Sequence, residues 1–525
     1  MVAAAVGAIH VLRLPRIVVD DAFISYRYAL NLAEGRGLVF NAGEYVEGFS
    51  NLAWVLLTTL GLKLGADPIS WTRALGAAAL ILTVIASARL TWRCTRSVPA
   101  AVACGLLLAA STAFCSSAIS GLETGFYALS VTAALLCVAE RRLVAASVFF
   151  AVAGTTRTEG FLLLFVTLAT RWAANRDPAR RDWRSYLKLA GPAVVTLLGV
   201  MAFRIAYFGA LVPNSVTAKG NMLPLLLERG PRGLVPTILN EAGLRYVGEF
   251  LIAALGAALP LAVLPILFAT ARRRIARMLG AFALVGLTVA VYNFGDWMSS
   301  FRLLTPYFPC LAVLACWGGA LAVRRAGELS LPIARPAAAM IVLALMAIVV
   351  AGGWQRELPV EHVRPDRELA AVLSASQETD LLAATDVLGR LGYYAPHVRI
   401  IDMAGLTDRY IATHGRPKPT IGKWAPDYVL GQRPHFLMTN TLSAWETTLR
   451  REDVNDDYVW LDEPVWRGER GGPPRFVFVR RDSILEAELR AVYPAAQGRA
   501  PREAIPAAGD ESIAANGRAG LLVRQ

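Results

Sequence analysis

Two adjacent carboxylates, Asp20 and Asp21, follow the first apolar stretch and open the run VDDAFISYRYALNLAEGRGLVFNAGEYVEGFSN. Neighbouring acids raise each other's proton affinity, so one can orient while the other takes a proton from a weak nucleophile. Helix capping, for which Asp is well suited, explains one of them better than two. Arg27 lies on the same helical pattern, about two turns after Asp20, within reach of the acids or of a bound phosphate. Arg157 in TTRTEG, Lys219 in LVPNSVTAKG, Arg302 in NFGDWMSSFR and Arg245 are candidates for holding an anionic phosphate. Arg suits that task through its planar fork of donors, and anchoring at a membrane surface is the competing use. Glu123, Glu159 and Asp296 are candidate partners of those cations or supporting groups for the chemistry. Trp54, Tyr26 and Trp297 offer flat ring faces for stacking. No His or Cys has metal-ligand spacing, and an Asp pair permits a divalent metal without requiring one.

The elements that must position these groups are membrane segments. The chain has 525 residues, of which 55% are hydrophobic and 18% charged. Apolar runs approaching the length of a hydrocarbon core are expected over 2–19, 70–92, 98–119, 121–139, 142–156, 160–173, 186–208, 246–270, 276–293, 303–323 and 336–353. A net charge of +13 suggests nucleic acid only until its placement is read. The basic residues sit in alternate short loops: Arg93 and Arg96; Arg141 and Arg142; Arg171 to Lys188; Arg272 to Arg277; Arg324 to Arg335. The positive-inside bias makes that side cytoplasmic. It then places the Asp pair and the C-terminal part together outside, and no aromatic-studded basic stripe for nucleic acid is present.

Residues 51–65, with Lys63 inside the stretch and Gly-Ala-Asp-Pro at its end, read as an interfacial helix within a first outer loop, 20–69. The segments 142–156 and 160–173 are each short. Their joint is therefore expected below the outer surface, with Arg157 and Glu159 recessed in a protein-lined cavity. The fold class is mainly α: a polytopic membrane domain, 1–353, followed by an extracytoplasmic α/β domain, 354–493, and a tail, 494–525, expected to be disordered. In the soluble domain DLLAATD (380–386), VLGRLGYYA and VRIIDMAGL (398–406) read as a βαβ unit. PHFLMTN and the pair EPVWRGER/RFVFVRR, joined by Gly-Gly-Pro-Pro, read as further strands.

In their order, DDAFISYRYALNLAEGRGLVFNAGEYVEGFSNLAW, SGLETG, RTEG, LVPNSVTAK, GDWMSSFRLLTP, IDMAGLTDRYIA and APDYV resemble the GT-C glycosyltransferases, and among them the terminal arabinofuranosyltransferases of mycobacterial arabinan. The resemblance covers most of residues 19–430. It implies a polyprenyl-phosphate sugar as donor, an envelope glycan as acceptor, and a bacterial plasma membrane with the site on its outer side. It implies that Asp20 or Asp21 is the catalytic acid/base and that the C-terminal domain helps to hold the acceptor. A transporter or flippase would instead place ionisable groups near the midplane and carry internal repeats. A non-catalytic scaffold would need the acids only as caps.

Overall fold

The computed structural model describes residues 1–15, 18–174, 182–220, 242–269, 272–293, 295–296, 300–328, 333–354, 364–417, 422–440, 445–463 and 475–504. Each expected apolar run contains a helix or a bent helix pair: Val2–Arg13, Pro68–Thr95, Val98–Ala110 with Thr112–Ile119, Thr124–Ala139, Leu143–Thr156, Glu159–Ala174, Trp183–Phe208, Ala242–Ala254 with Leu259–Phe268, Arg273–Tyr292, Phe308–Ala326 and Ala334–Trp354. By length and composition, four of the described helices can cross a membrane, or six when each bent pair counts as one span. Local chemistry sets their ends. Asp67 accepts from the Ser70 amide at 2.8 Å ahead of Pro68, and Ser111 ends one helix and caps the next at a bend of 62°. The helices share one apolar core, which includes Leu80, Leu108, Phe150, Phe282 and Phe308.

The soluble part is built on a six-stranded sheet: β1 (Leu382–Thr385), β2 (Arg399–Asp402), β3 (Phe436–Thr439), β4 (Tyr458–Asp462), β5 (Phe476–Arg480) and β6 (Gln497–Arg499). The strand order is β2-β1-β3-β5-β4-β6. β1 pairs in parallel with β2 and β3, and the remaining pairs are antiparallel. The βαβ unit stands as expected, with the helix Leu388–Tyr394 between β1 and β2. The strand pairing with 476–480 is YVWLD, not the EPVWRGER that follows it; residues 464–470 of that expected strand, and the Gly-Gly-Pro-Pro turn, lie outside the described residues. β6 lies beyond residue 494, within the stretch expected to be a tail. Its low apolar content suits an edge strand, and Arg499 adds an ion pair with Asp462 at 3.3 Å.

Alternate residues of the sheet face two cores, as the period of two requires. One face carries Leu382, Ala384, Ile401 and Phe478. The other carries Ala383, Ile400, Phe436 and Val479, and it packs in one cluster with Ile24, Tyr28, Leu38, Phe40 and Phe49. The segment 20–69 and the sheet therefore share a core. The soluble domain is part of the scaffold that fixes the Asp pair.

Candidate active site

The helix Asp20–Ala33 begins on the acids themselves. Successive residues of an α-helix point about 100° apart, so the two carboxylates face different neighbours. Asp20 turns to the soluble domain. Its oxygens accept from the backbone amides of Gly389 at 3.0 Å and Arg390 at 2.9 Å, at the start of the helix after β1. A side chain on Gly389 would lie 2.0 Å from the Asp20 carbonyl oxygen, so the close approach requires glycine. Arg390 is itself buried; it donates to the Val18 carbonyl at 2.7 Å and pairs with Asp366 at 3.3 Å. Burial pushes the Asp20 carboxyl above the ordinary value, against the pull of Arg390. Both of its oxygens nevertheless face amide donors.

Asp21 turns the other way and keeps a quarter of its side chain exposed. It accepts from Arg302 Nη1 at 2.9 Å, while Arg302 Nε donates to Asp296 at 2.6 Å. Arg302 follows Phe301, a non-glycine residue at φ 52°. The Phe301 ring is gripped by Tyr246 and Phe250, with centroids 5.2 and 5.7 Å away. Packing thus maintains an uncommon backbone conformation next to the Arg302 side chain, a candidate site residue.

Arg157 sits in the extended joint between Leu143–Thr156 and Glu159–Ala174, a turn in which Gly160 passes so close to Ala153 that a side chain would clash. Its Nε donates to Glu123 at 2.8 Å, its Nη1 to the Arg302 carbonyl at 3.4 Å and its Nη2 to the Thr124 hydroxyl at 3.3 Å. Glu159 stands 3.9 Å away, and the guanidinium lies over the Tyr127 ring. Tyr127 in turn meets the Tyr307 hydroxyl at 3.0 Å. Lys219, at the end of Asn214–Lys219, lies within the field of Arg302, Asp21, Asp296 and Glu123; among the described residues it makes no ion pair. Burial, and then Arg302, pull its amine below the ordinary lysine value.

The structure therefore gathers Asp21, Glu123, Arg157, Glu159, Lys219, Asp296 and Arg302, and it separates four other candidates from them: Arg27, Trp54, Tyr26 and Arg245. Arg27 is a correction. It is almost fully buried, donating to the carbonyls of Phe40, Gly392 and Val398 and to Asn41 Oδ1, at 2.7 to 3.1 Å. Its donors hold the soluble domain and none faces the cluster. Trp54 and Tyr26 are also corrected: both are completely buried, with Trp54 Nε1 donating to the Gly121 carbonyl and the Tyr26 hydroxyl against Thr72, so neither face is open for stacking. Trp297 lies outside the described residues. Arg245 pairs with Glu249 four residues on, exposed and apart from the cluster.

Two contributors were missed. Asn51 donates to Glu123 at 3.0 Å and touches Ser25; its place in GFSN was the available signal. Arg390 is one ordinary Arg in GRLGYY, and nothing in its local sequence sets it apart. No group of three His, Cys, Asp or Glu converges on a metal position among the described residues.

The Arg27 correction can be tested. Arg27→Met keeps the bulk and removes every donor, leaving buried carbonyls unpaired, and is expected to lower stability by about 3 kcal/mol. Thermal unfolding measures the loss. A higher KM for a phosphate-bearing donor, with unchanged stability, would return Arg27 to the phosphate site.

Residues 356–479 match a domain of unknown function, DUF8728. No curated protein matches the chain in sequence. Solved structures match across its length. The archaeal oligosaccharyltransferase AglB from Archaeoglobus fulgidus, in complex with an inhibitory peptide and a dolichol-phosphate, is similar with a TM-score of 0.53 at 11% identity, over 91% of this chain and 74% of that one. The A. fulgidus oligosaccharyltransferase tethered to an acceptor peptide gives 0.54 at 12% identity, over 88% and 72%. ArnT from Cupriavidus metallidurans bound to undecaprenyl phosphate gives 0.49 at 15% identity, over 92% and 97%. At these identities the likeness is one of architecture: the chain has the GT-C fold of a polytopic membrane protein, mainly α, with a small C-terminal α/β region.

Proposed function

We propose that the protein is a membrane glycosyltransferase that moves a sugar from a polyprenyl-phosphate donor to a hydroxyl of an envelope glycan, on the extracytoplasmic side of the plasma membrane. The ordered motifs favour arabinofuranose as the sugar. The observation that carries this reading is the Asp21–Arg302 pair: a partly open carboxylate held by a cation, with Lys219 and Arg157 beside it. A dolichol-phosphate occupies the A. fulgidus enzyme of the same architecture, which supports a lipid phosphate here.

In the proposed reaction, Lys219 and Arg302 hold the donor phosphate. As the phosphate engages Arg302, the Asp21 carboxylate is freed to accept a proton. The acceptor hydroxyl oxygen attacks the anomeric carbon and its proton passes to Asp21. The bond from that carbon to the phosphate oxygen breaks, and the electron pair leaves with polyprenyl phosphate. Arg157, fixed by Glu123 and Thr124, orients the backbone that carries Arg302. Asp20 is a positioning residue that docks the soluble domain.

The test uses the purified full chain with a synthetic polyprenyl-phosphate arabinofuranose and an arabinan oligosaccharide. Acceptor-dependent release of polyprenyl phosphate, with a lengthened glycan, is the expected result. Transport of the intact lipid across vesicles without sugar transfer would overturn the reading. The lowered Lys219 amine adds a pH signature. Because the charged form binds phosphate, donor KM should climb as pH rises through a value below that of an ordinary lysine, about 10.4. Lys219→Arg should keep KM flat to higher pH; an identical profile in both proteins would remove Lys219 from the donor site.

A further inference from the structure

The helices that assemble the Asp21 cluster gather a second set of charges at their other ends. Glu123 precedes Thr124–Ala139, and Arg141 follows it; sixteen helical residues separate them by about 24 Å. Glu159 opens Glu159–Ala174, and Arg171 lies in its last turn. Arg274 lies in the first turn of Arg273–Tyr292, which runs toward Asp296. Lys188 is near the start of Trp183–Phe208, while Arg204, bonded to Glu47, is near its end.

These distal ends line a half-open cavity of about 650 Å³ that includes Arg141, Arg142, Arg171, Lys188 and Arg274, with Asp182 as its one acidic lining residue among the described residues. Asp182 caps the Trp183–Phe208 helix by accepting from Ser185. Arg142 lies 3.5 Å from Glu140; the other four cations have no ion pair among the described residues. Arg171 is held over the Tyr186 ring, and its Nε is buried without a hydrogen-bond partner. Cations brought together without counter-charges repel one another, so an anion in the cavity would be stabilising. The positive-inside bias explains cations at this end of the bundle. It does not explain why five cations line one cavity with a single acid among its described lining residues.

The rim identifies the depth. Val144 lines the cavity and is half exposed, and Trp172, Trp183 and Leu187, each more than half exposed, are sequence neighbours of the lining residues Arg171, Asp182 and Lys188. Exposed apolar side chains with Trp mark the boundary between acyl chains and headgroups. A ligand here has its charge among the arginines and its apolar part against the rim.

We propose that this cavity, at the end of the bundle opposite Asp21, binds the phosphate headgroup of an anionic bilayer lipid. The lipid bridges the ends of Thr124–Ala139, Glu159–Ala174 and Arg273–Tyr292, which lead to Glu123, Glu159 and Asp296, and the start of Trp183–Phe208. Native mass spectrometry of the full chain, offered equal phosphatidylglycerol and phosphatidylcholine, tests it. Phosphatidylglycerol should be retained in preference. The double variant Arg171→Gln/Arg274→Gln should weaken that preference about thirtyfold, at roughly a factor of five to six per cation. If that variant fails to fold, Arg141→Gln/Lys188→Gln should show the same loss, with its fold checked by thermal melting. Equal retention of both lipids by the wild-type chain, or a preference unmoved in a folded variant, overturns the proposal. Soluble glycerol phosphate bound as tightly as phosphatidylglycerol would also overturn it, since the acyl chains would then contribute nothing.

Discussion

Asp21→Asn is expected to lower the turnover of sugar transfer by about 10²- to 10⁴-fold, the span that loss of a positioned general base produces. Asn keeps the shape and an oxygen for Arg302, so the 2.9 Å contact has a successor while the proton acceptor is gone. The side chain is a quarter exposed and its partner Arg302 also holds Asp296, so little stability should be lost. Donor KM should change little, because the phosphate is held by Lys219 and Arg302. A fall in turnover of less than about tenfold would make Asp21 an orienting group and would require another proton acceptor.

Asp20→Ala is expected to act in the opposite manner, costing about 3 kcal/mol of stability with only a secondary effect on chemistry. The substitution strips the acceptor from the Gly389 and Arg390 amides and removes a carboxylate from beside the buried Arg390 guanidinium. The first observable should be proteolysis between the helical bundle and the sheet, with a lower melting temperature. Gly389→Ala provides a check that leaves Asp20 in place. Its new methyl group would meet the Asp20 carbonyl oxygen, so it should loosen the same contact from the other side. Full stability in both variants would mean that the soluble domain does not depend on this junction.

These two expectations depend on something the sequence could not supply. Adjacent carboxylates on one helix are equivalent in a linear pattern. Only the fold shows that one faces Gly389, more than 360 residues away, and the other Arg302. The same holds for Arg27 and Trp54. Helical periodicity placed Arg27 near the acids and Trp54 was legible only as a ring face, but which helix faces become buried was settled by segments remote in sequence. The convergence of Glu123, Arg157, Glu159, Lys219, Asp296 and Arg302 was legible, because each lies in a polar break between long apolar runs. Such breaks on one side of a bundle must meet at one level. The helical runs were legible for the same reason. In the soluble domain the βαβ unit was marked by strand–helix–strand alternation. The strand over 458–462 was not: all five of its residues are buried, so it lacks the alternation of a half-exposed strand.

The shared core of the segment 20–69 and the sheet gives the division of labour a physical basis. A base must be held within a fraction of an ångström of its productive position, which a free loop at a membrane surface does not provide. Asp20, Arg27 and Arg390 provide that anchorage through buried hydrogen bonds, and Asp21 is left facing the cations.

The most direct test of this account measures turnover and melting temperature side by side for Asp20→Asn and Asp21→Asn, with a polyprenyl-phosphate sugar as donor. The account predicts a crossed pattern: Asp21→Asn loses turnover and keeps its melting temperature, while Asp20→Asn loses melting temperature and keeps most of its turnover when assayed below its transition. The reverse pattern, with Asp20→Asn inactive but stable and Asp21→Asn active, would contradict it.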